Sequence, residues 1–281
     1  MKKFLSLILS FALLLSASMP VFATESNSVS EETINSELLT RGYPQIVLDT
    51  MDYSSKLDLY DENVGFMGAV ITYYDESTSS FIDIHVEEDG SYISPRGQIP
   101  TSDLSLTFTY SRSPMIPGAT LDYIKVSYNY NWLKLPFFRW QDPISVSWDS
   151  SKFEMVSNSF YKVDMYDGFI ENATTGAVSG PYIGQIHSSE YGYANASSSG
   201  VTWYADLKGY NGITPTKLYG YGTFKLAPKN TTAAGSTILY GHYVHPKMDF
   251  GISVNVVSYG GFSISGGSNY DERGNQKTIS W

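Results

Sequence analysis

Cysteine is missing from the chain altogether. That excludes a disulfide framework, a thiol nucleophile and the lipid attachment of bacterial lipoproteins. Basic residues are few, with 18 Lys and Arg against 28 Asp and Glu, a net charge of −10. A chain this acidic repels phosphate backbones at long range, which argues against nucleic acid as a partner and against anionic membranes as first targets. Catalytic wording is absent too. There is no Gly-x-Ser-x-Gly elbow and no His-Glu-x-x-His pair, the usual marks of serine hydrolases and zinc peptidases. After the first two dozen residues no apolar run approaches the roughly 20 residues a membrane helix needs. The final Thr278-Ile279-Ser280-Trp281 reads as a strand end without a basic tail or sorting motif.

What is present begins at the N-terminus. Lys2 and Lys3 precede an apolar run over residues 4–15, followed by Ser16, Ser18, Pro20 and Val21-Phe22-Ala23. This is the basic, apolar and small-residue order of a secretory signal peptide. The apolar stretch is too short to span a bilayer, so cleavage after Ala23 and release outside the cell are expected. Losing residues 1–23 removes two lysines and no acid, leaving 16 basic against 28 acidic residues, or −12. Export without disulfides points to a bacterial, Gram-positive source. The Asn-x-Ser/Thr triplets at Asn172, Asn195 and Asn230 are then chance matches.

Residues 24–41 carry Glu25, Glu31, Glu32 and Glu37 with few large apolar side chains, and read as a flexible acidic leader with one weak helical turn near Ile34. From Tyr43 onward period-two alternation replaces helical spacing, as in residues 81–86, 104–110, 124–132 and 252–256. Each such segment reads as a strand with one face for a core and one for water. Turn signals such as Glu88-Asp89-Gly90 and Asp271-Glu272-Arg273-Gly274-Asn275 separate the segments. With 24 Gly, 12 Pro and 23 Tyr, an all-β antiparallel β-sandwich architecture follows. Composition further suggests two closely packed β domains, 42–172 and a Tyr/Gly-rich 181–281, joined by the small, polar linker 173–180.

His242 and His245 are three apart on an expected strand, so their rings point to opposite faces and cannot share a metal. Surface or turn positions are expected for them. Asp58, Asp61 and Glu62 group hard oxygen ligands in an expected loop and are weak calcium candidates, though they lack the spaced EF-hand pattern. Glu87-Glu88-Asp89 is similar. Glu154, Glu171 and Glu190 lie near aromatics without a recognisable catalytic pairing. The real excess is aromatic, at 15% of residues. Trp132, Trp140, Trp148 and Trp203 are the candidate binding residues, since an exposed indole can stack on a sugar ring or a partner surface. Trp140, between Arg139 and Gln141-Asp142-Pro143, is expected at a polar corner and partly exposed.

The segments Arg41-Gly42-Tyr43-Pro44-Gln45 and Leu135-Pro136-Phe137-Phe138-Arg139-Trp140-Gln141-Asp142-Pro143 resemble the wording of secreted proteins of Gram-positive bacteria that carry no assigned activity. The resemblance transfers no functional residue. The reading is therefore a secreted, non-catalytic β protein without cofactor, binding an extracellular partner such as a cell-wall or surface glycan through exposed aromatics or loops. A second reading is a β-pore-forming protein, in which the amphipathic, Ser- and Thr-rich segments 101–110 and 120–132 rearrange into a barrel. A secreted hydrolase is the third.

Overall fold

A computed structural model describes residues 29–92, 102–113, 123–171, 175–189, 193–208, 213–229, 235–247 and 251–280, with backbone alone for 182–189. The expected signal peptide lies outside the described residues. Among them, no helix is long and apolar enough to cross a membrane.

The first described elements are helical. Helix α1 (Glu31–Thr40) places Glu31 and Glu32 in its first turn, where they complement the helix dipole, and buries Ile34 and Leu38 one turn apart. After α2 (Gln45–Leu48), Asp52 caps α3 (Tyr53–Asp61) by accepting from the Ser54 and Ser55 amides at 2.8 and 3.1 Å. The chain expected to be a flexible leader to residue 41 is thus ordered helix from Glu31, fixed by two buried apolar side chains.

Fifteen strands follow among the described residues. The larger sheet runs in the order β2 (Ser80–Val86), β1 (Gly65–Asp75), β3 (Leu104–Ser113), β4 (Tyr123–Trp132), β11 (Thr214–Pro228), β7 (Tyr161–Glu171) and β8 (Val178–Ser189), with β6 (Phe153–Met155) also paired to β11. The second sheet is β15 (Tyr270–Ser280), β12 (Ser236–Pro246), β5 (Gln141–Ser147), β10 (Gly200–Asp206) and β9 (Tyr193–Ser197). A two-stranded hairpin, β13 (Ser253–Ser258) and β14 (Gly261–Ser265), forms a third sheet. Pairing is antiparallel throughout, as in β3 with β4 and β10 with β5. The all-β sandwich is therefore what the alternation implied.

The composition break at 173–180 falls at the β7–β8 hairpin, where Glu171 pairs with Val178. β11 from the second half lies between β4 and β7 of the first, and β5 from the first half lies between β12 and β10 of the second. Both halves share both sheets, and Glu31–Trp281 is one compact unit. The division into 42–172 and 181–281 is a difference of composition, not of sheets.

The core lies between the two sheets. Along β4, Ile124, Val126, Tyr128, Tyr130 and Trp132 enter it, and Ile144, Val146, Val201, Trp203, Leu239 and Tyr243 meet them from the second sheet. The intervening polar residues of β4 do not face water. Lys125, Ser127 and Asn129 are buried, and side chains of the helical segment before β1 bond to Lys125 and Asn129. Ser55 Oγ donates to Asn129, and on the neighbouring β3 Thr107 Oγ1 donates to Thr50 at 2.7 Å and Ser111 pairs with Tyr43, both from the connections between helices. The described parts of 101–110 and 120–132 are thus interior strands, paired on both sides and covered on both faces. The Tyr-Gly bias of the second half has a packing cause. A Cβ at Gly222 would sit 2.5 Å from the Trp203 indole, so glycine there lets the two sheets close over that ring.

Candidate functional site

Three of the four expected binding tryptophans are core residues. Trp132 packs 4.8 Å from the His245 ring, Trp148 lies 5.5 Å from Phe224, and Trp203 sits 5.6 Å from Phe160. All three are buried, so none can stack on an external ligand. Trp140 is different, with 42% of its surface exposed.

The calcium candidates serve another purpose. Asp58 and Glu62 hold Lys125 Nζ at 2.5 and 2.8 Å, and Glu62 also meets Lys225 at 2.7 Å. Lys125 is 1% exposed, and a buried ammonium needs such partners. Burial pushes the Asp58 carboxyl up against the pull of Lys125. Burial acts the same way on Glu62, but Lys125 and Lys225 outweigh it and hold that carboxyl below its ordinary value. These oxygens neutralise lysines instead of offering a cation site, and Asp61 is exposed beside them. Among the described residues no group of three or more His, Asp and Glu side chains could hold a metal. Glu87 pairs with Lys277 at 2.6 Å, and Asp89 caps the Ser91 amide in an exposed turn. Glu154 and Glu171 are exposed, and Glu190 lies outside the described residues.

His242 and His245 do face opposite sides of β12, but neither is a surface or turn residue. His242 turns outward, stacked at 4.7 Å on Phe262 of β14 and 3.1 Å from Glu272. Burial lowers its pKa against the pull of Glu272. His245 turns into the sandwich, its Nδ1 3.1 Å from Asp142, and Tyr243 donates to the same carboxylate. Burial alone would lower the His245 pKa, but Asp142, Glu76 and Asp271 raise it above its ordinary value. Its Nε2 has no hydrogen-bond partner among the described residues and lies 4.0 Å from Glu76. This Asp–His pair lacks the hydroxyl that a Ser-His-Asp triad places on the second ring nitrogen.

The alternation that sends Asp142 and His245 inward sends their neighbours Gln141 and Pro246 outward. On β10, Val201, Trp203 and Ala205 belong to the core, so Tyr204 also faces out. These outward side chains line a cleft of about 350 Å³ together with Trp140, Lys208 and, just before β13, Gly251 and Ile252. The hairpin is seated closely. A Cβ at Gly200 would meet Val256 at 2.5 Å, and beneath it Ser145 and Thr202 share a 2.8 Å hydrogen bond. The Trp140 carbonyl accepts from the Leu207 amide at 2.8 Å, which fixes the loop at the cleft mouth. Lys208 Nζ lies 5.2 Å from the centre of the Trp140 ring. Burial raises the Tyr204 phenol pKa, keeping it a neutral donor. The cleft thus offers two aromatic bodies, an amide and one ammonium in a volume suited to a small ring-shaped ligand. Trp140 and its polar corner were legible in the sequence. Tyr204 and Lys208 were not, because only the β5–β10 pairing of Tyr204 with Pro143 and Asp206 with Gln141 brings residues about sixty positions apart to one place.

No protein-family model matches the sequence, and no curated protein matches it. Among solved structures, the chain is similar to the C-terminal domain of the Streptococcus agalactiae AgI/II polypeptide BspA, with 7% identity over 77% of this chain and 79% of that one and a TM-score of 0.29. It is similar to Clostridium perfringens delta-toxin at 9% identity, covering 75% and 93% of the two chains, with a TM-score of 0.26. A Streptococcus parasanguinis Fap1 fimbrial structure on pH-induced modulation of adhesion gives 12% identity, 78% and 91% coverage and a TM-score of 0.25. The chain spans 54% and 58% of two further BspA C-terminal structures. Similarity at these TM-scores carries no inference about what this chain does.

Proposed function

We propose that this chain is a secreted, non-catalytic binding protein whose Trp140 cleft takes a saccharide unit of a cell-wall or surface glycan. The observation that carries the reading is that, of the four tryptophans in the described residues, Trp140 alone is exposed, and it borders a cleft with Tyr204, Gln141 and Lys208. An indole and a phenol supply flat apolar faces for the C–H side of a sugar, while the amide and ammonium meet its hydroxyl or carboxylate oxygens. The signal-like N-terminus supports exposure to such ligands.

The test is binding of the purified chain without residues 1–23 to a glycan array and to purified bacterial cell wall. Trp140→Ala is expected to lower retention about tenfold or more, the loss of one well-placed aromatic contact, with far-UV circular dichroism unchanged. Equal retention by wild type and Trp140→Ala on every retained glycan contradicts the reading. N-terminal sequencing of exported protein is expected to begin at Thr24.

A further inference from the structure

The loop between β4 and β5 carries a feature that the saccharide cleft does not use. Residues 133–139 read Leu-Lys-Leu-Pro-Phe-Phe-Arg, without an acid among them, in a chain where acids outnumber bases. Phe137 is 83% exposed and Leu133 51%. Phe137 meets the half-buried Phe138 edge-on at 4.9 Å, so the exposed ring rests against a second one. Exposed apolar residues scattered singly are ordinary, but several on one short loop are not.

The projection is built, not frayed. Its first residues are tied down where the Leu133 and Lys134 amides donate to the Asp103 carbonyl at 2.8 and 3.1 Å. Its middle is anchored by buried Pro136 and by Leu135, which packs on the core. Its end is held by the Trp140 carbonyl on Leu207. A loop fixed at start, middle and end that still presents Phe137 to solvent has already met the ordering cost of docking.

Charge selects the partner. Arg139 is exposed next to the phenylalanine pair. Lys134 is already engaged by Asp103 at 3.3 Å. An exposed aromatic tip with an arginine beside it matches a phospholipid surface, where Phe and Leu enter the acyl boundary and Arg meets phosphate. The molecule's net negative charge opposes approach to an anionic bilayer only at long range; within a Debye length, here about 8–10 Å, local groups decide. We infer that the β4–β5 loop is a membrane-docking tip that seats the protein on a phospholipid surface through Phe137 and Arg139, beside the cleft and independent of its ligand.

Co-sedimentation of the chain lacking residues 1–23 with sucrose-loaded vesicles tests this. One set is phosphatidylcholine and the other an equal mixture of phosphatidylcholine and phosphatidylglycerol. Wild type is expected to partition onto both. Phe137→Ser is expected to lower the partition coefficient roughly tenfold or more on both, the loss of one large apolar insertion. Arg139→Gln is expected to lower it about fivefold on the mixed vesicles and less on phosphatidylcholine. Both side chains are exposed, so unchanged circular dichroism and thermal unfolding are expected of both variants. Absence of wild-type partitioning at millimolar lipid overturns the inference, as does equal partitioning by Phe137→Ser. So does self-association, seen by sedimentation velocity in wild type and lost in Phe137→Ser, which would make the loop a contact between copies. Glycan retention that survives Phe137→Ser but not Trp140→Ala separates this tip from the cleft.

Discussion

His245 is surrounded by acids from three elements: Asp142 on β5, Glu76 just beyond β1 and Asp271 on β15. Asp271 is itself bonded to Tyr74 and paired with Lys247 at 2.8 Å, and Tyr243 shares Asp142. Because the folded-state pKa of His245 lies above its unfolded value, its protonated ring contributes stability that is fully present below the unfolded pKa. That contribution fades as pH rises through the folded pKa. Urea unfolding of wild type and His245→Gln across about pH 5 to 9, which brackets ordinary histidine titration, should show a stability difference largest on the acid side and shrinking upward. A difference that grows with pH would contradict the ion-pair arrangement. The sequence showed that His242 and His245 face apart, since strand geometry dictates it. It did not show that both are buried, because the partners Glu272, Asp142 and Glu76 are distant in the chain. The tryptophans repeat the point. Trp140 stands among polar neighbours and was legible, while Trp132, Trp148 and Trp203 needed the opposing sheet to reveal their burial.

At the scale of elements, the helical layer is the part that alternation concealed. Alternation along β4 marks two faces, and its apolar face is the core. Its polar face reads as a water face, because nothing in Lys125, Ser127 and Asn129 themselves announces a cover. The partners of Lys125 and Asn129, Asp58 and Ser55 on α3 and Glu62 at its end, are about seventy residues upstream. Leu38→Ala in α1 should cost about 2–5 kcal/mol of unfolding free energy, the usual range for emptying a buried leucine site. A mobile leader would give no change. Lys125→Met should cost about 3–5 kcal/mol, because it strands the Asp58 carboxylate against Glu62 in a largely buried place. Gly222→Ala tests the contact between sheets. Its methyl group must displace the Trp203 ring, so a loss of about 1–3 kcal/mol is expected in denaturant titration. These three variants probe the helix-to-sheet and sheet-to-sheet layers separately.

For the whole molecule, interleaving of strands from both halves means that neither half has a sheet of its own to retain. Tryptophan fluorescence, dominated by the core, and far-UV circular dichroism should therefore follow one coincident transition in urea, where separable domains would give two. On that single framework the β13–β14 hairpin and the β4–β5 loop leave one indole open beside a cleft. An indole-resolved proton–nitrogen spectrum, titrated with a saccharide retained on the array, tests this most directly. The account predicts that the Trp140 Nε1–H signal, assigned by its loss in Trp140→Phe, shifts and saturates while those of Trp132, Trp148 and Trp203 stay in place. A Trp140 signal that does not move while the saccharide demonstrably binds would contradict it.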